Sequence, residues 1–496
     1  MLRLAICLLV LAPLSAQETE LEKQLKRFVD AFAKISAEAA DEVSSEQAFY
    51  TGAIPGMLRH LDPHSVFFDP GQFNQLKQME NSERKGFGSV VSVLPGRVIF
   101  LQTLPGTPSA KAGLQPGDEI AAINNYALAR MEFDQIVQLL GEARQHEIQL
   151  TVRRPGNMRM LTFQLKPEIM DAPSVDRAFL LSPQIGYLRI TSFDVGTGKL
   201  VKQTIETLGG TKLKGLVIDL RNNPGGVATA AADVAGLFLK PGQRIFTIEG
   251  RKSEGVGKPE SKDSRREDVD VPKDIVPYTF PVAVLINGKS ASASEIVTGA
   301  LQDHDRGLVF GEPSYGKGLV QNVFPLSQQA GLALTVAFYY IPSGRSIQKP
   351  LHAGGQLDTA TVLERKEFKT DAGRTVRGGG GVEPDEVVLP EVPTRLGMVL
   401  EASASFTNFA TEAIPKYKVD ENFKVDGKVL DDFRVFLSER SIQPSVPEFL
   451  AIRDWVQSRL QQEIMTQAIG VAKGDEVEAQ RDPVVRRAVI RITEKR

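Results

Sequence analysis

The sequence predicts a multidomain α/β protein: a β/α layered core, a small β-rich unit inserted ahead of it, and helical N- and C-terminal regions. Three observations lead there. The chain has 496 residues, too many for one ordinary hydrophobic core and enough for about three domains. From about residue 172 to 392, short apolar strands alternate with helical patterns, as in layered β/α architectures. Apolar residues at helix spacing dominate both ends. With 42% hydrophobic and 24% charged residues, the composition is that of a globular protein. A net charge of -2 gives no reason to expect a nucleic-acid partner or a basic membrane-binding surface.

The first 16 residues read as a secretory signal peptide. Met1-Leu-Arg3 supplies a positive end, Leu4 to Leu14 an apolar run too short for a membrane span, and Pro13-Leu-Ser-Ala16 a cleavage site. The only cysteine, Cys7, lies inside that run. Cleavage leaves a cysteine-free chain, compatible with an oxidising compartment and free of disulfides. No later segment has the length and apolarity of an integral membrane span.

Residues 17–80 are expected to be helical, with Leu25, Phe28, Phe32 and Ile35 on one face and a turn at Leu61-Asp-Pro-His-Ser65, where Pro63 blocks helix continuation. Residues 81–168 form the inserted unit. It opens with Gly86-Phe-Gly-Ser89, followed by strands at Val90–Val93 and Arg97–Leu101 and a short helix in Thr107–Leu114. Pro116-Gly-Asp-Glu-Ile120 turns into the strand Ile120–Ile123; a helix (Phe133–Leu140) and a strand (Glu147–Arg153) close the unit. This order resembles a bacterial-type PDZ domain. The resemblance implies that Gly86, Phe87, Gly88 and Ser89 form a loop whose backbone N–H groups receive a peptide's terminal carboxylate, the peptide adding as a strand to the sheet edge.

Residues 169–392 carry the layered core. Ile185–Ile190, Gly215–Leu220 and Val282–Ile286 read as buried strands; Gly198–Leu208, Ala228–Leu239 and Glu295–Leu301 read as helices. Arg251–Asp274, dense in alternating charge, reads as a solvated mobile loop. Residues 393–496 form a helical tail (Val429–Glu439, Val446–Gln467, Asp482–Thr493) without a catalytic motif. The tail is open to bracing the core, dimerising or shaping substrate access; for the protein as a whole, a homo-oligomer or an activating partner stays open.

The chemistry concentrates in Ser290-Ala-Ser-Ala-Ser-Glu295 and Ser314-Tyr-Gly-Lys-Gly-Leu-Val-Gln321. Ser292 stands three residues before Glu295, the spacing of a capping box at a helix start. The same place suits a nucleophile, since free N–H groups at a helix N-terminus stabilise a developing oxyanion. Cap and nucleophile are both open on these residues alone. The five histidines are scattered, so a lysine is the economical partner for such a serine. A lysine base must be neutral, a state that an ordinary pKa near 10.4 allows in about one molecule in 2,500 at pH 7. Burial or nearby positive charge has to supply the difference.

Lys317 also sits in Gly311-Glu-Pro-Ser-Tyr-Gly-Lys-Gly318, which matches most of a phosphate-binding loop. Gly318 replaces the magnesium-binding Ser/Thr, and Leu319–Phe324 reads as strand rather than helix, so nucleotide binding is rejected. His64 and His304, both near turns, read as structural rather than as metal ligands, and no metal or other cofactor is expected. Ser82-Glu-Arg-Lys85 fits the S-x-x-K pattern of penicillin-recognising enzymes but lacks that family's further motifs. Asp219-Leu-Arg-Asn-Asn-Pro-Gly-Gly226, a strand breaking into a turn, can offer backbone N–H groups to an oxyanion or serve only as a tight turn.

Together, these motifs, with Leu61-Asp-Pro-His-Ser65, Pro342-Ser-Gly-Arg-Ser-Ile347 and Gly381-Val-Glu-Pro-Asp385, occur in the order of the carboxyl-terminal processing (tail-specific) serine peptidases. The chain resembles that family from about residue 48 to 392. The resemblance implies a ClpP/crotonase-like peptidase core with an inserted PDZ domain, exported to a bacterial periplasm or cell envelope, acting on the C-terminal tails of proteins. It puts the nucleophile on Ser292, the base on Lys317, the orienting glutamine on Gln321, and the oxyanion donors on Ala293 and Gly226. A catalytically inactive PDZ scaffold on the same core is the alternative. Two departures stand out: Leu140 replaces an arginine that many relatives have at the end of the PDZ helix, and residues 351–380 form a Gly-rich charged insertion.

Overall fold

A computed structural model describes residues 20–74, 85–94, 96–104, 106–154, 157–169, 173–251, 264–350 and 366–494. The expected signal peptide and Ser82 lie outside the described residues. The N-terminal region holds helices α1 (Glu20–Glu38) and α2 (Ile54–Leu61), then a short strand, β1 (Val66–Phe68), that the helical reading of this region missed. The turn expected at Leu61–Ser65 falls between α2 and β1, with Asp62 extended just ahead of Pro63.

The inserted unit is a sheet in the order β2 (Ser89–Leu94), β3 (Arg97–Thr103), β4 (Glu119–Ile123), β5 (Ile148–Arg153), β6 (Leu161–Leu165), all neighbours antiparallel. Helix α3 (Phe133–Ala143) packs Ile136 and Ala143 into its core with Val98, Ile120 and Leu150.

The chain then builds β7 (Val175–Ser182), β8 (Ile185–Ile190), α4 (Thr197–Leu208), β9 (Gly215–Asp219), α5 (Ala228–Gly236), β10 (Arg244–Arg251) and β11 (Ser264–Asp270). After these come β12 (Val282–Ile286), α6 (Ala293–Asp303), β13 (Gly307–Gly311), β14 (Leu319–Pro325), β15 (Gly331–Tyr340) and β16 (Glu386–Val387). With β1, these strands form two sheets. One runs β7-β8-β9-β12-β13-β16, parallel after the first pair; the other runs β1-β15-β10-β11, with β14 also on β15. Leu216–Ile218 of β9 and all of β12 are continuous apolar runs because both faces of the parallel sheet are covered. α4, α5 and α6 cover one face through Val201, Ile205, Val234 and Val297.

The other face is covered from the tail. Helices α7 (Val471–Arg481) and α8 (Pro483–Thr493) end the chain. The Val484, Val485, Ala488 and Ile492 side chains of α8 pack on Tyr187, Val217, Ala283, Leu285 and Phe310. Each large apolar residue buried this way contributes roughly 1.5–3 kcal/mol. The preceding tail helices form their own core around Phe406, Phe433 and Leu460. The expected single helix Val446–Gln467 is two, Val446–Ala451 and Arg453–Ala468, broken at Ile452.

The expected loop at Arg251–Asp274 is overturned in part. Residues 264–270 are strand β11, paired with β10. Their alternating charges are cross-strand partners rather than solvated singles: Arg244 meets Asp268 at 2.7 Å and Arg266 meets Glu249 at 3.2 Å. Residues 252–263 lie outside the described residues.

Asp482 joins tail to core. Its Oδ1 caps α8 by accepting the Val484 and Val485 N–H groups at 2.8 and 3.2 Å, and its Oδ2 accepts Arg221 Nη1 at 2.7 Å. Asp482→Ala is expected to cost about 1–3 kcal/mol, by loss of the cap and of a charged hydrogen bond. Urea unfolding checks this: the midpoint falls while the slope is unchanged. An unchanged midpoint would show the contact to be fully compensated by solvent.

Candidate active site

Ser292 begins α6 at the carboxyl end of β12, with φ +56° and ψ −115°. A non-glycine residue there is strained by roughly 1–3 kcal/mol, and such strain clusters at functional sites. The Ser292–Glu295 capping box is formed, so the capping reading of Ser292 holds geometrically. The three serines of the motif are nevertheless unequal. Ser290 and Ser294 are fully buried and use their hydroxyls structurally, donating to Leu220 O at 2.8 Å and Asn223 O at 3.0 Å. Ser292 is half-buried, with its side chain within reach of the buried Tyr339 hydroxyl.

Glu295 is fully buried and gathers both halves of the motif pair. Its Oε2 accepts the Ser292 N–H at 2.8 Å and the Lys317 N–H at 2.9 Å; its Oε1 accepts the Gly316 N–H at 2.7 Å and the Ser314 hydroxyl. Burial pushes its carboxyl above the ordinary range, and the Ser314, Lys317, Ser292 and Gly316 hydrogen bonds oppose that. The serine and lysine backbones thus share one acceptor atom. Spacing alone identified Glu295 only as a capping partner; its bonds to residues 314–317 were invisible in one dimension.

Lys317 is half-buried just ahead of β14. Its amine donates to Gln321 Oε1 at 3.1 Å, and Gln321 Nε2 donates to the His64 carbonyl at 2.7 Å. The buried Tyr339 donates its hydroxyl to the Lys317 carbonyl. Burial, and then the nearness of Lys317, pushes the His64 imidazole below its ordinary range, with Asp62 opposing. Gly316 (φ +90°) needs glycine: a Cβ there would stand 2.7 Å from Lys349 Cγ and 3.1 Å from the Gly381 nitrogen.

The turn after β9 lies against Ser292. Asn223, fully buried, bonds Ile190 O through Nδ2 at 2.8 Å and accepts the Gly225 N–H on Oδ1 at 2.8 Å. Its carbonyl accepts the Ala291 N–H at 3.0 Å. A Cβ on Gly225 (φ +102°) would come within 2.7 Å of both Ala291 O and Ser292 Cβ, so only glycine permits this approach. Gly226 bridges Phe193, with Phe193 N–H on Gly225 O and Val227 N–H on Phe193 O. Among the described residues, neither the Gly226 N–H nor the Ala293 N–H has a hydrogen-bond partner. Gly225 was missed by the sequence reading, which singled out Gly226; both belong to a two-glycine turn packed against Ser292.

The far end of α6 is fastened as well. All of Ala293–Asp303 is buried, and Asp303 pairs with the buried Arg345 at 2.8 Å. Arg345 also donates to Gln302 Oε1 at 2.7 Å and Arg377 O at 2.9 Å. Arg374 reaches the Gln302 carbonyl at 3.0 Å and pairs with Asp305 and Asp385. The described part of the charged insertion, residues 366–380, therefore clasps the helix that Ser292 begins; residues 351–365 lie outside the described residues.

In the inserted unit, Gly86 pairs with Glu168, and Phe87 and Gly88 form the bend into β2. Gly88 has φ +73°, and a Cβ there would meet Thr107 Cβ at 2.2 Å. Ser89 donates its hydroxyl to Ser109, and the carbonyls of Phe87 and Gly88 accept the Ser109 and Leu104 N–H groups at 2.9 and 2.8 Å. No hydrogen bond among the described residues uses the Phe87 or Gly88 N–H, which leaves two adjacent donors for an acceptor from outside.

Residues 184–388 match the model of peptidase family S41, and residues 100–154 match that of the PDZ domain. A carboxy-terminal-processing protease of Bartonella bacilliformis is 36% identical over 330 residues, covering 66% of this chain and 73% of the relative. The carboxy-terminal processing protease CtpB of Bacillus subtilis is 29% identical over 341 residues, 68% of each chain. A chloroplastic carboxyl-terminal-processing peptidase 2 of Arabidopsis thaliana is 31% identical over 312 residues, 60% of this chain and 58% of the relative. Among solved structures, a photosystem II D1 C-terminal processing protease aligns at 24% identity with a TM-score of 0.41, covering 75% of this chain and 90% of that one. With a matching family model over the sheet that carries Ser292 and a relative matched over most of its length, the chain belongs to the carboxy-terminal processing proteases, serine peptidases of family S41.

Proposed function

We propose that this protease is an exported endopeptidase with a Ser292–Lys317 dyad, fed through its PDZ domain with the C-terminal tails of protein substrates. One observation carries the reading: the strained Ser292 shares the buried Glu295 carboxylate with Lys317, beside two N–H groups that have no partner among the described residues. Ser292 Oγ attacks the scissile carbonyl while Lys317 Nζ takes its proton. The oxyanion accepts the Ala293 and Gly226 N–H groups. Lys317 returns the proton to the leaving amine, and the acyl-enzyme ester on Ser292 is hydrolysed by a water that Lys317 activates. Gln321 orients the amine through a neutral oxygen, which adds no negative charge to favour the ammonium form. The Met1–Ala16 pattern supports export to a periplasm or cell envelope.

Incubation of the purified protein with an unfolded substrate, with fragments mapped by mass, tests the chemistry. Ser292→Ala and Lys317→Ala are each expected to lose at least about a thousandfold in kcat. Fragments at the wild-type rate from either variant would overturn the assignment, and a wild type that binds without cleaving would support an inactive scaffold. Gly225→Ala should fold yet lose most activity, because its Cβ collides with Ala291 O and Ser292 Cβ. Wild-type turnover in that variant would remove the turn from the site. Delivery through the Phe87–Gly88 loop predicts that amidating a substrate's C-terminus raises KM about tenfold with little change in kcat, by removing the carboxylate that the loop receives. Equal KM for acid and amide would show that the loop does not read the carboxylate.

A further inference from the structure

The turn Leu61-Asp-Pro-His-Ser65 is in contact with the site, yet the reaction above assigns it nothing. A carboxamide can face a neighbour with either its oxygen or its NH2. Gln321 serves a lysine only with its oxygen forward, since the reverse sets donor against donor. In this structure Nε2 is bound to the His64 carbonyl at 2.7 Å, which leaves Oε1 for Lys317 at 3.1 Å. The orientation of the glutamine therefore depends on where that one carbonyl stands.

Its position is determined by a buried carboxylate. Asp62 Oδ1 accepts the His64 and Ser65 N–H groups at 2.7 and 2.8 Å, and Oδ2 accepts the Ser65 hydroxyl at 2.7 Å. Pro63 restricts the backbone between them. Ser65 Oγ in turn accepts the Thr335 N–H at 3.1 Å, and Thr335 is the residue facing Gln321 across β14 and β15. The chain leaves the turn directly into β1, paired with Gly331–Ala333 of β15. The turn and the glutamine are thus both set against the same stretch of one strand. Burial works against the Asp62 charge, but the Ser65 hydroxyl and the His64 and Ser65 N–H groups outweigh it and hold the carboxyl below its ordinary value. A lowered folded value means the stability from this charge is present above the ordinary Asp range near 4 and is lost only as pH falls through the lowered value.

We infer that Asp62 is a positioning residue for proton transfer, acting through the His64 carbonyl on Gln321 and through Gln321 on Lys317. The inference rests on Lys317 being the base. It makes the N-terminal region, outside the S41 match at residues 184–388, part of the machinery of the peptidase core.

A double-mutant cycle in the full chain tests it, with Asp62→Ala, Gln321→Ala and the double variant assayed on the same unfolded substrate. Asp62→Ala is expected to lower kcat about ten- to a hundredfold with KM unchanged within about twofold. In the Gln321→Ala background the same change should alter kcat by less than about threefold, because the group it acts through is gone. Asp62→Asn, which keeps an acceptor for the turn but loses one charged oxygen, should fall between, and it carries the cycle if Asp62→Ala does not fold. The inference is overturned if folded Asp62 variants keep wild-type kcat, or if the loss is equal in both backgrounds, as a merely structural role would give. Lys317→Ala separates the two readings. Wild-type kcat in that variant overturns the base and the positioning role together; an inactive Lys317→Ala with an additive cycle overturns only the positioning role.

Discussion

A single buried carboxylate, Glu295, is the interaction on which the rest of the site depends. Withdrawing an ionised group from water costs several kcal/mol unless donors replace the lost hydration. The donors to Glu295 come from Ser292, Ser314, Gly316 and Lys317, in two segments separated by strand β13. The cost is offset only when those segments lie side by side. Folding of the core and juxtaposition of serine and lysine are therefore one event, and an otherwise expensive buried charge ensures that the site is assembled whenever the core is.

Around that centre, each mobile-looking piece is tied to a rigid element. The two-glycine turn hangs from Asn223 between β8 and the Ser292 loop, and its Arg221 is held by Asp482 at the start of α8. Helix α6 is gripped at its far end by Arg345. The tail helix α7 starts with the Val471 N–H on Gln102 of β3 at 3.2 Å and is followed at once by Asp482. It is thereby a short strut between the PDZ sheet and the turn that approaches Ser292. Precision of this kind comes from locking the groups that hold reactive side chains, rather than from those side chains themselves.

Much of this was legible in one dimension because the informative signals are local. The strand Val282–Ile286 announces itself as an unbroken apolar run, and the positive-φ turns require glycine in short, recognisable words. What was not legible depends on contacts between distant segments. Spacing cannot tell Ser290 and Ser294 from Ser292; only the structure reveals that two of the three hydroxyls are already bonded to the Leu220 and Asn223 carbonyls. The same holds for Gly225, recognisable only by what its missing Cβ would strike, and for Asp62, 255 positions before Lys317 in the sequence. The charge-rich segment that became β11 misled for a different reason: its alternating ions looked solvated until β10 supplied their partners.

Under the proposed dyad, Ser292 is the one serine whose reactivity depends on Lys317. Covalent labelling with a serine-directed fluorophosphonate, followed by peptide mapping, addresses it without any substrate. The expected result is one adduct, on Ser292, absent from Ser292→Ala and formed at least about tenfold more slowly in Lys317→Ala, where no base remains to take the proton. An adduct on Ser290 or Ser294, or labelling of Ser292 at an equal rate without Lys317, would contradict it.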